Sequence, residues 1–286
     1  DFYEDLVRLK QSFPQITTTK IHLDPRFPIS RKMALNVGIK SAHYECMVFT
    51  STDAVPQTDR WLSLMAKGFM RGEIVVGYCG VERGKGFSNY MMRAWRMMHS
   101  ADWIARAVQR RAYRGTLHNY GFTKSLYFGA NGFSHLNMNI GEDDLFMQRV
   151  MTRDNVSVIL SPRASLREKM WGGMGWWMSQ LRYFGSAFRF YPRAVKTFVR
   201  WEIGSRVLFF ATVVCALAVM PPEYKLAALL LAVIRYVVVA FEVRRIARRL
   251  GEGGIAGRYF IYDLLGPLWA AALGAMLLRR DNRVWR

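Results

Sequence analysis

The hydrophobic and polar positions divide the chain into two parts near residue 186. In the first part, short apolar runs alternate with segments whose apolar residues recur at helical spacing. The runs predict strands at residues 16–21, 46–50, 74–78 and 156–160, and the periodic segments predict helices at 31–43, 59–70, 87–113 and 142–151. Such alternation is typical of an α/β domain, in which ligands bind beyond the carboxyl ends of the strands.

The second part contains three long apolar segments, at residues 203–220, 226–241 and 259–278. A short polar turn joins the first two, so we predict a helical hairpin over 203–241 whose arms are close to the roughly 20 residues that cross a bilayer. A buried helical pair in a soluble protein is the alternative. Arginine clusters that follow the second and third segments favour the membrane, with the clusters on the cytoplasmic side. The topology of the third segment stays open, because Asp263 and Pro267 interrupt it.

The segment between these two parts alternates apolar and cationic residues at helical spacing. That pattern is typical of a helix lying at a membrane surface. We therefore predict three regions: a catalytic domain at residues 1–185, an interfacial amphipathic helix at 186–206, and a membrane region at 207–286.

Composition excludes several classes of protein. The 286 residues carry a net charge of +20, yet 51% are hydrophobic and 14% aromatic, so the chain is not a disordered basic tail. Three widely separated cysteines indicate neither a disulfide framework nor a thiolate metal site. The excess positive charge requires an anionic partner, and the interfacial segment assigns much of it to membrane lipids. We expect no nucleic acid partner, since the arginines of the helix at 87–113 accompany no binding motif and are expected to form a solvated face.

Two acidic features suggest chemistry. Asp53 follows the apolar strand at 46–50, where a hard oxygen ligand suits Mg²⁺ or Mn²⁺, although a single aspartate at such a position is more often a turn residue or a helix cap. Glu142, Asp143 and Asp144 open a helix; their mutual repulsion favours a raised pKa in at least one of them, as a general base requires. The alternative is that these carboxylates only complement the helix dipole.

The order of several motifs resembles that of processive-type family 2 glycosyltransferases, from about residue 32 to the C-terminus. The motifs are Asn36, Gly38 and Ala42 on a helix, the strand ending in Asp53 with Pro56 and Trp61 beyond it, the segment 115–122, the turn 131–133 and the acidic run 141–144. Further along, Trp176, Arg182 and Tyr183 are similar to residues of that family's Q-x-x-R-W box.

The resemblance implies a GT-A (Rossmann-like) catalytic domain on the cytoplasmic face of the inner (plasma) membrane, followed by interfacial and transmembrane helices. Such an enzyme transfers a sugar, with inversion, from a nucleoside diphosphate sugar to a glycan or lipid-linked acceptor of the cell envelope. By this resemblance Asp53 binds the divalent cation and Asp143 is the catalytic base, with Asp144 and Glu142 as neighbours in an ambiguous register. Donor- or acceptor-binding residues would be Lys32, His118, Asn119, Trp176, Gln180, Arg182 and Tyr183.

Three departures from the family pattern support an alternative. Ser51 occupies the place of the first aspartate of the D-x-D motif, and Ser179 replaces the glutamine of Q-x-x-R-W, with Gln180 about 100° further around a helix. The family's first strand-helix units have no counterpart in this sequence, so we expect the nucleotide-binding part to be missing from it. The alternative is therefore a catalytically weak scaffold subunit of an envelope polysaccharide synthesis or export complex.

Overall fold

The computed structural model describes residues 2–21, 30–116, 118–133, 144–188 and 190–278, and it shows a mixed α/β fold in which helices predominate. The strands are β1 (Cys46–Phe49), β2 (Ala54–Pro56), β3 (Ile74–Gly77), β4 (Cys79–Val81), β5 (Tyr120–Thr123), β6 (Val156–Ile159) and β7 (Leu166–Glu168). The helices are α1 (Phe2–Ser12), α2 (Arg31–Ser41), α3 (Trp61–Gly68), α4 (Phe87–Val108), α5 (Lys124–Gly129), α6 (Leu145–Val150), α7 (Met174–Phe188), α8 (Arg193–Val219), α9 (Pro222–Leu250) and α10 (Tyr259–Leu278).

The strands form two small mixed sheets. In the first, the order is β1-β5-β3-β6, with β5 antiparallel to both neighbours and β3 parallel to β6. In the second, the order is β2-β7-β4, with β7 antiparallel to β2 and parallel to β4. The predicted α/β class is confirmed, and its identity as a GT-A domain stays a prediction. The strand predicted at 16–21 is wrong, because those residues form irregular chain.

The core lies around β3 and the helix α4. Ile74, Val75 and Val76 are fully buried, because β3 is an inner strand with both faces covered, which explains its uninterrupted apolar run. On the neighbouring strand, the ring of Phe122 stacks on that of Tyr127 at 5.8 Å between centroids and contacts Phe146 at 5.4 Å. Through these aromatic contacts β5 packs against α5 and α6, the two short helices that follow it.

Two arginines of α4 are buried in ion pairs. Arg93 Nη2 lies 2.7 Å from Glu252 Oε2, and Arg96 Nη2 lies 2.8 Å from Glu168 Oε2. The expected solvated basic face is therefore wrong for these two residues. The reason is tertiary: each arginine meets a carboxylate from a distant part of the chain, which the spacing within α4 does not reveal.

Glu252 fastens the end of α9 to the sheet domain. Gly251 terminates α9 in the left-handed conformation, at φ 68°, which glycine adopts without strain. The next side chain, Glu252, accepts hydrogen bonds from Arg93 and, at 2.8 Å, from the Tyr78 hydroxyl, while Arg167 lies at 3.7 Å. Arg167 also donates to the backbone oxygens of Leu250 and Gly251.

The helices α8 and α9 form the predicted hairpin, and both are long and apolar enough to cross a membrane. Only 6% of the most apolar stretch of each helix is buried, so their aliphatic side chains face outwards, as expected for contact with lipid. The predicted boundary at residue 206 is not a break in structure. A single helix, α8, continues from the cationic interfacial segment into the apolar one.

The third apolar segment, α10, packs against α7 and α8 and also against α4 of the first part of the chain. Asp263 on α10 is buried and pairs with Arg235 of α9, Nη1 to Oδ2, at 2.5 Å, and with Arg206 of α8 at 3.7 Å. The Arg235 guanidinium also lies 4.4 Å from the Phe209 ring centroid. An arginine in the middle of an apolar segment is therefore neutralised within the protein, and this charge network ties the three helices together.

We expect Glu252→Gln to lower the free energy of unfolding by about 3–5 kcal/mol, because it leaves Arg93 buried without its counter-charge. Chemical denaturation of the detergent-solubilised chain measures the change. Glu242→Gln, which changes an exposed carboxylate on α9, the helix that precedes Glu252, serves as the matched control and should change little. Equal destabilisation by the two variants would contradict this role for Glu252.

Candidate functional site

Asp53 lies where the chain passes from one sheet to the other. It follows β1 of the four-stranded sheet and directly precedes β2 of the three-stranded sheet. Its backbone oxygen accepts a hydrogen bond from the Lys169 amide at 3.2 Å, and its carboxylate accepts one from the Ser51 hydroxyl. The turn thereby holds a half-buried carboxylate beside the end of β7.

Glu168, the last residue of β7, is a second carboxylate at this junction. It is 2% exposed, and its Oε2 lies 2.8 Å from Arg96 Nη2 and 3.7 Å from His118 Nε2. Burial raises the pKa of Glu168, the Arg96 charge opposes that rise, and the negative charge of Asp53 adds to it. Asp53 and Glu168 are therefore close enough to influence each other electrostatically.

His118 faces the same carboxylates and is uncharged. Burial, followed by the positive charges of Arg96 and Arg31, lowers the pKa of His118 to about 3, and the Asp53 charge only partly offsets them. Its Nδ1 atom is buried and has no hydrogen-bond partner in the described part of the chain. Buried polar atoms nearly always form hydrogen bonds. The Nδ1 atom of His118 therefore still has the capacity for one hydrogen bond, to a ligand or to a water molecule.

Asn119, expected to contact donor or acceptor, instead connects the two sheets. It is fully buried, and its Nδ2 donates at 2.9 Å to the backbone oxygens of both Tyr78 and Ala164. Its Oδ1 accepts from the Trp61 indole, also at 2.9 Å. With its amide bonded on both sides and shielded from solvent, Asn119 positions its neighbour His118 and does not itself face a ligand.

The carboxylate of Asp144, the second choice for the base, also accepts hydrogen bonds from within the protein. It is 1% exposed and caps α6, with Oδ1 accepting from the Leu145 amide at 2.7 Å. Its Oδ2 accepts from the Tyr191 hydroxyl at 2.6 Å. The structure thus gives Asp144 the helix-cap role that was the alternative, and leaves no carboxylate oxygen unbonded. Glu142 and Asp143 lie outside the described residues.

The residues expected from the Q-x-x-R-W resemblance occupy different faces of α7. Trp176 and Tyr183 are half-buried and pack against the main core, and Gln180 is half-buried on the same face. Arg182 is exposed, as is Ser179 one turn before it. Lys32, expected at the donor site, is half-buried in the first turn of α2 and has interactions of its own. Within the described contacts, α7 packs on α10 and α4.

The junction can supply a single carboxylate ligand to a metal ion. In the described ranges, no three His, Cys, Asp or Glu side chains are arranged to hold a metal. Mg²⁺ commonly binds one or two protein carboxylates and takes its other oxygens from substrate phosphates and water. The half-buried carboxylate of Asp53 fits that mode, in which the ion arrives with a phosphate-bearing ligand.

Sequence reasoning did not identify Glu168 or Arg96 as members of this cluster. Glu168 sits in a three-residue strand with no preceding apolar run, and Arg96 was one of several arginines on a long helix. The buried ion pair gives no pattern within a short window of sequence, since Arg96 and Glu168 are 72 positions apart. Of the four side chains in this cluster, Asp53 and His118 were among the predicted site residues, and Glu168 and Arg96 were not.

Comparison with protein-family models gives no match for this chain, and comparison with curated proteins gives none either.

The lowered pKa of His118 predicts a pH dependence of stability. The histidine binds a proton more readily in the unfolded chain, at about pH 6.5, than in the folded one, at about 3. The free energy of unfolding should therefore fall as pH decreases from 6.5 towards 3, and His118→Gln should make that fall shallower. Unfolding measured at several pH values provides the test, with the exposed His43→Gln as control. Identical slopes for both variants would show that His118 does not contribute.

Proposed function

We propose that the protein is a membrane-bound inverting glycosyltransferase, which transfers a sugar from a nucleoside diphosphate sugar to a glycan or lipid-linked acceptor. The observation that carries the proposal is the junction of the two sheets. There Asp53, in the turn between β1 and β2, lies within electrostatic range of His118 and Glu168. The expectation for Asp53 came from its place after an apolar strand and from the motif order, and its position in the turn between two strands, beside other polar groups, supports it.

In this proposal each residue of the site has a separate chemical role. Asp53 holds Mg²⁺ or Mn²⁺, and the ion would neutralise charge on the departing nucleoside diphosphate. Asp143 takes the proton from the acceptor hydroxyl, since Asp144 is committed to its helix cap and to Tyr191. The neutral His118, whose side chain is 14% exposed and whose Nε2 lies 3.7 Å from Glu168, would line the donor site. Arg96 forms a buried ion pair with Glu168 and so fixes the position of this second carboxylate.

The helix hairpin supports a location at a membrane, and we propose that it is the inner (plasma) membrane with the sheet domain on the cytoplasmic side. Exposed arginines occupy the last turns of α9, where it leaves the apolar stretch for the sheet domain. Cytoplasmic flanks of membrane helices are enriched in such residues. The site would then work close to lipid head groups, which suits a lipid-linked acceptor.

One observation favours the alternative, a catalytically weak scaffold subunit in an envelope polysaccharide complex. The Ser51 hydroxyl donates to the Asp53 carboxylate, so it occupies an oxygen that a metal ion would use. In this alternative the sheet domain recognises a partner or a sugar nucleotide but does not turn it over.

Release of nucleoside diphosphate from UDP-glucose, UDP-N-acetylglucosamine and GDP-mannose, with Mn²⁺ and membrane lipid extract, tests the proposal. We expect Asp143→Asn to reduce turnover by about 10²–10⁴-fold, the range for loss of a general base. Asp53→Asn should abolish the stimulation by Mn²⁺. Asp154→Asn, an exposed carboxylate paired with Arg110, is the control and should retain activity.

The outcomes separate the two candidate functions. Turnover that is lost in Asp143→Asn and kept in Asp154→Asn supports the transferase. Background release that is identical in all variants supports the scaffold, and sugar-nucleotide binding without turnover would point the same way.

A further inference from the structure

A cationic cleft of about 370 Å³ lies beside the proposed site, at the loop that joins β4 to α4. Arg83 and Lys85 line it from that loop, and Lys169, which follows β7, lines it from the other side. The volume falls in the range of about 300–1,000 Å³ that is usual for small-molecule sites. Neither the proposed donor site nor the membrane helices account for this cleft.

The charge of the cleft is unbalanced. Three cationic side chains line it against one carboxylate, that of Glu82. Arg83, Lys85 and Lys169 are exposed, and in the described part of the chain none of them forms an ion pair. Like charges that converge on a cleft repel one another and create a positive potential, which an anionic ligand relieves. The cleft is therefore suited to a group carrying more than one negative charge.

The cleft also has an apolar rim. Phe87 lines it and is 47% exposed, and Met170 contributes a half-buried thioether. Trp171, next in sequence, is 57% exposed, and its ring lies 4.7 Å from the Lys169 ammonium. A ligand that is both multiply charged and apolar would use both kinds of surface, whereas a free inorganic anion would use only the cations.

The position of the cleft places it between the proposed site and the membrane. Lys169 donates its backbone amide to the backbone oxygen of Asp53, so the cleft adjoins that carboxylate. On the other side, the Arg83 guanidinium lies beside Gly254, at 3.7 Å from where a Cβ on that glycine would stand. Gly254 belongs to the loop that follows α9, the second arm of the apolar hairpin.

The height of this loop above the lipid follows from helix geometry. The last large apolar residue exposed on α9 is Phe241, and the helix continues to Leu250. At about 1.5 Å per residue, the intervening stretch rises roughly 14 Å, which covers the head-group region. A second cleft along it is lined by Arg244 and Arg248 and by the glycines of the same loop. Cationic side chains therefore continue from the lipid surface to Asp53.

We propose that the Arg83, Lys85 and Lys169 cleft binds the diphosphate of a polyprenyl-linked acceptor, with Phe87 and Met170, which also line the cleft, contacting its first isoprene units. This inference rests on the proposed function and names its acceptor class. The cations hold the diphosphate at the edge of the site, so that the acceptor sugar beyond it enters the proposed site while the prenyl chain extends to the bilayer.

Binding to the full chain in phosphatidylcholine nanodiscs tests the assignment, since these discs carry no anionic lipid. The probes are farnesyl diphosphate and inorganic pyrophosphate, titrated calorimetrically, with empty nanodiscs to subtract partition into lipid. The double variant Lys85→Gln, Lys169→Gln should weaken the binding of farnesyl diphosphate by about tenfold or more, because it removes two charge-assisted hydrogen bonds. Lys67→Gln with Arg71→Gln, two exposed cations on the α3 side, is the matched control and should bind as the parent does.

Each outcome decides a separate point. Farnesyl diphosphate that binds tighter than pyrophosphate, and is weakened only in the cleft variant, supports the lipid-linked ligand. Equal affinities for the two probes would assign the cleft to a free diphosphate and overturn the lipid assignment. Equal effects of the cleft and control variants, or no binding of either probe, would overturn the site. Lys85→Arg should keep the affinity, which distinguishes loss of charge from loss of fold.

Failure of the proposed function would look different. If no sugar nucleotide is turned over while farnesyl diphosphate still binds in a Lys85- and Lys169-dependent way, the transferase assignment fails and the anion site stands. If turnover depends on Asp143 while the cleft variant binds and transfers as the parent does, the transferase stands and the cleft assignment fails.

Discussion

The two buried ion pairs of α4 hold the molecule together. Arg93 and Arg96 are three positions apart and therefore lie on neighbouring parts of one helix face. One pairs with Glu252 at the end of the membrane hairpin, and the other pairs with Glu168 at the junction of the sheets. Buried charges are costly unless they are paired, so the hairpin, the helix and the sheet domain must assemble together to satisfy them. The orientation of the proposed site relative to the lipid follows from these two contacts.

The positively charged side chains fall into several groups that face different partners. Membrane lipid was expected to account for much of it, and the exposed arginines of α9 agree with that expectation. Arg93, Arg96, Arg206 and Arg235 instead face carboxylates inside the protein. Arg83, Lys85 and Lys169, which line the cleft near Asp53, form a further group of positively charged side chains. A net charge read from composition is therefore a poor guide to partners until buried pairs have been separated from exposed clusters.

The sequence predicted the elements with a strong local signal. The periodicity of α4 and the apolar run of β3 are visible in one window of sequence, and so are the two arms of the hairpin. The strands β2, β4, β5 and β7 were missed, because β2, β4 and β7 have only three residues each and Gly121 interrupts the apolar run of β5. Asp53 and His118 were predicted from motif order. Asn119 was expected at the donor site and Asp144 as a possible base, and the sequence did not reveal that both bond to distant residues, Trp61 and Tyr191.

The continuity of α8 links the lipid environment to the chemistry proposed for the domain. Tyr191, two residues before α8 begins, donates its hydroxyl to Asp144 at the start of α6. A stiff helix tilts to match the thickness of the hydrocarbon around it. If α8 crosses a bilayer as proposed, a thicker or thinner one would tilt this helix and pull on Asp144 at the start of α6 through Tyr191.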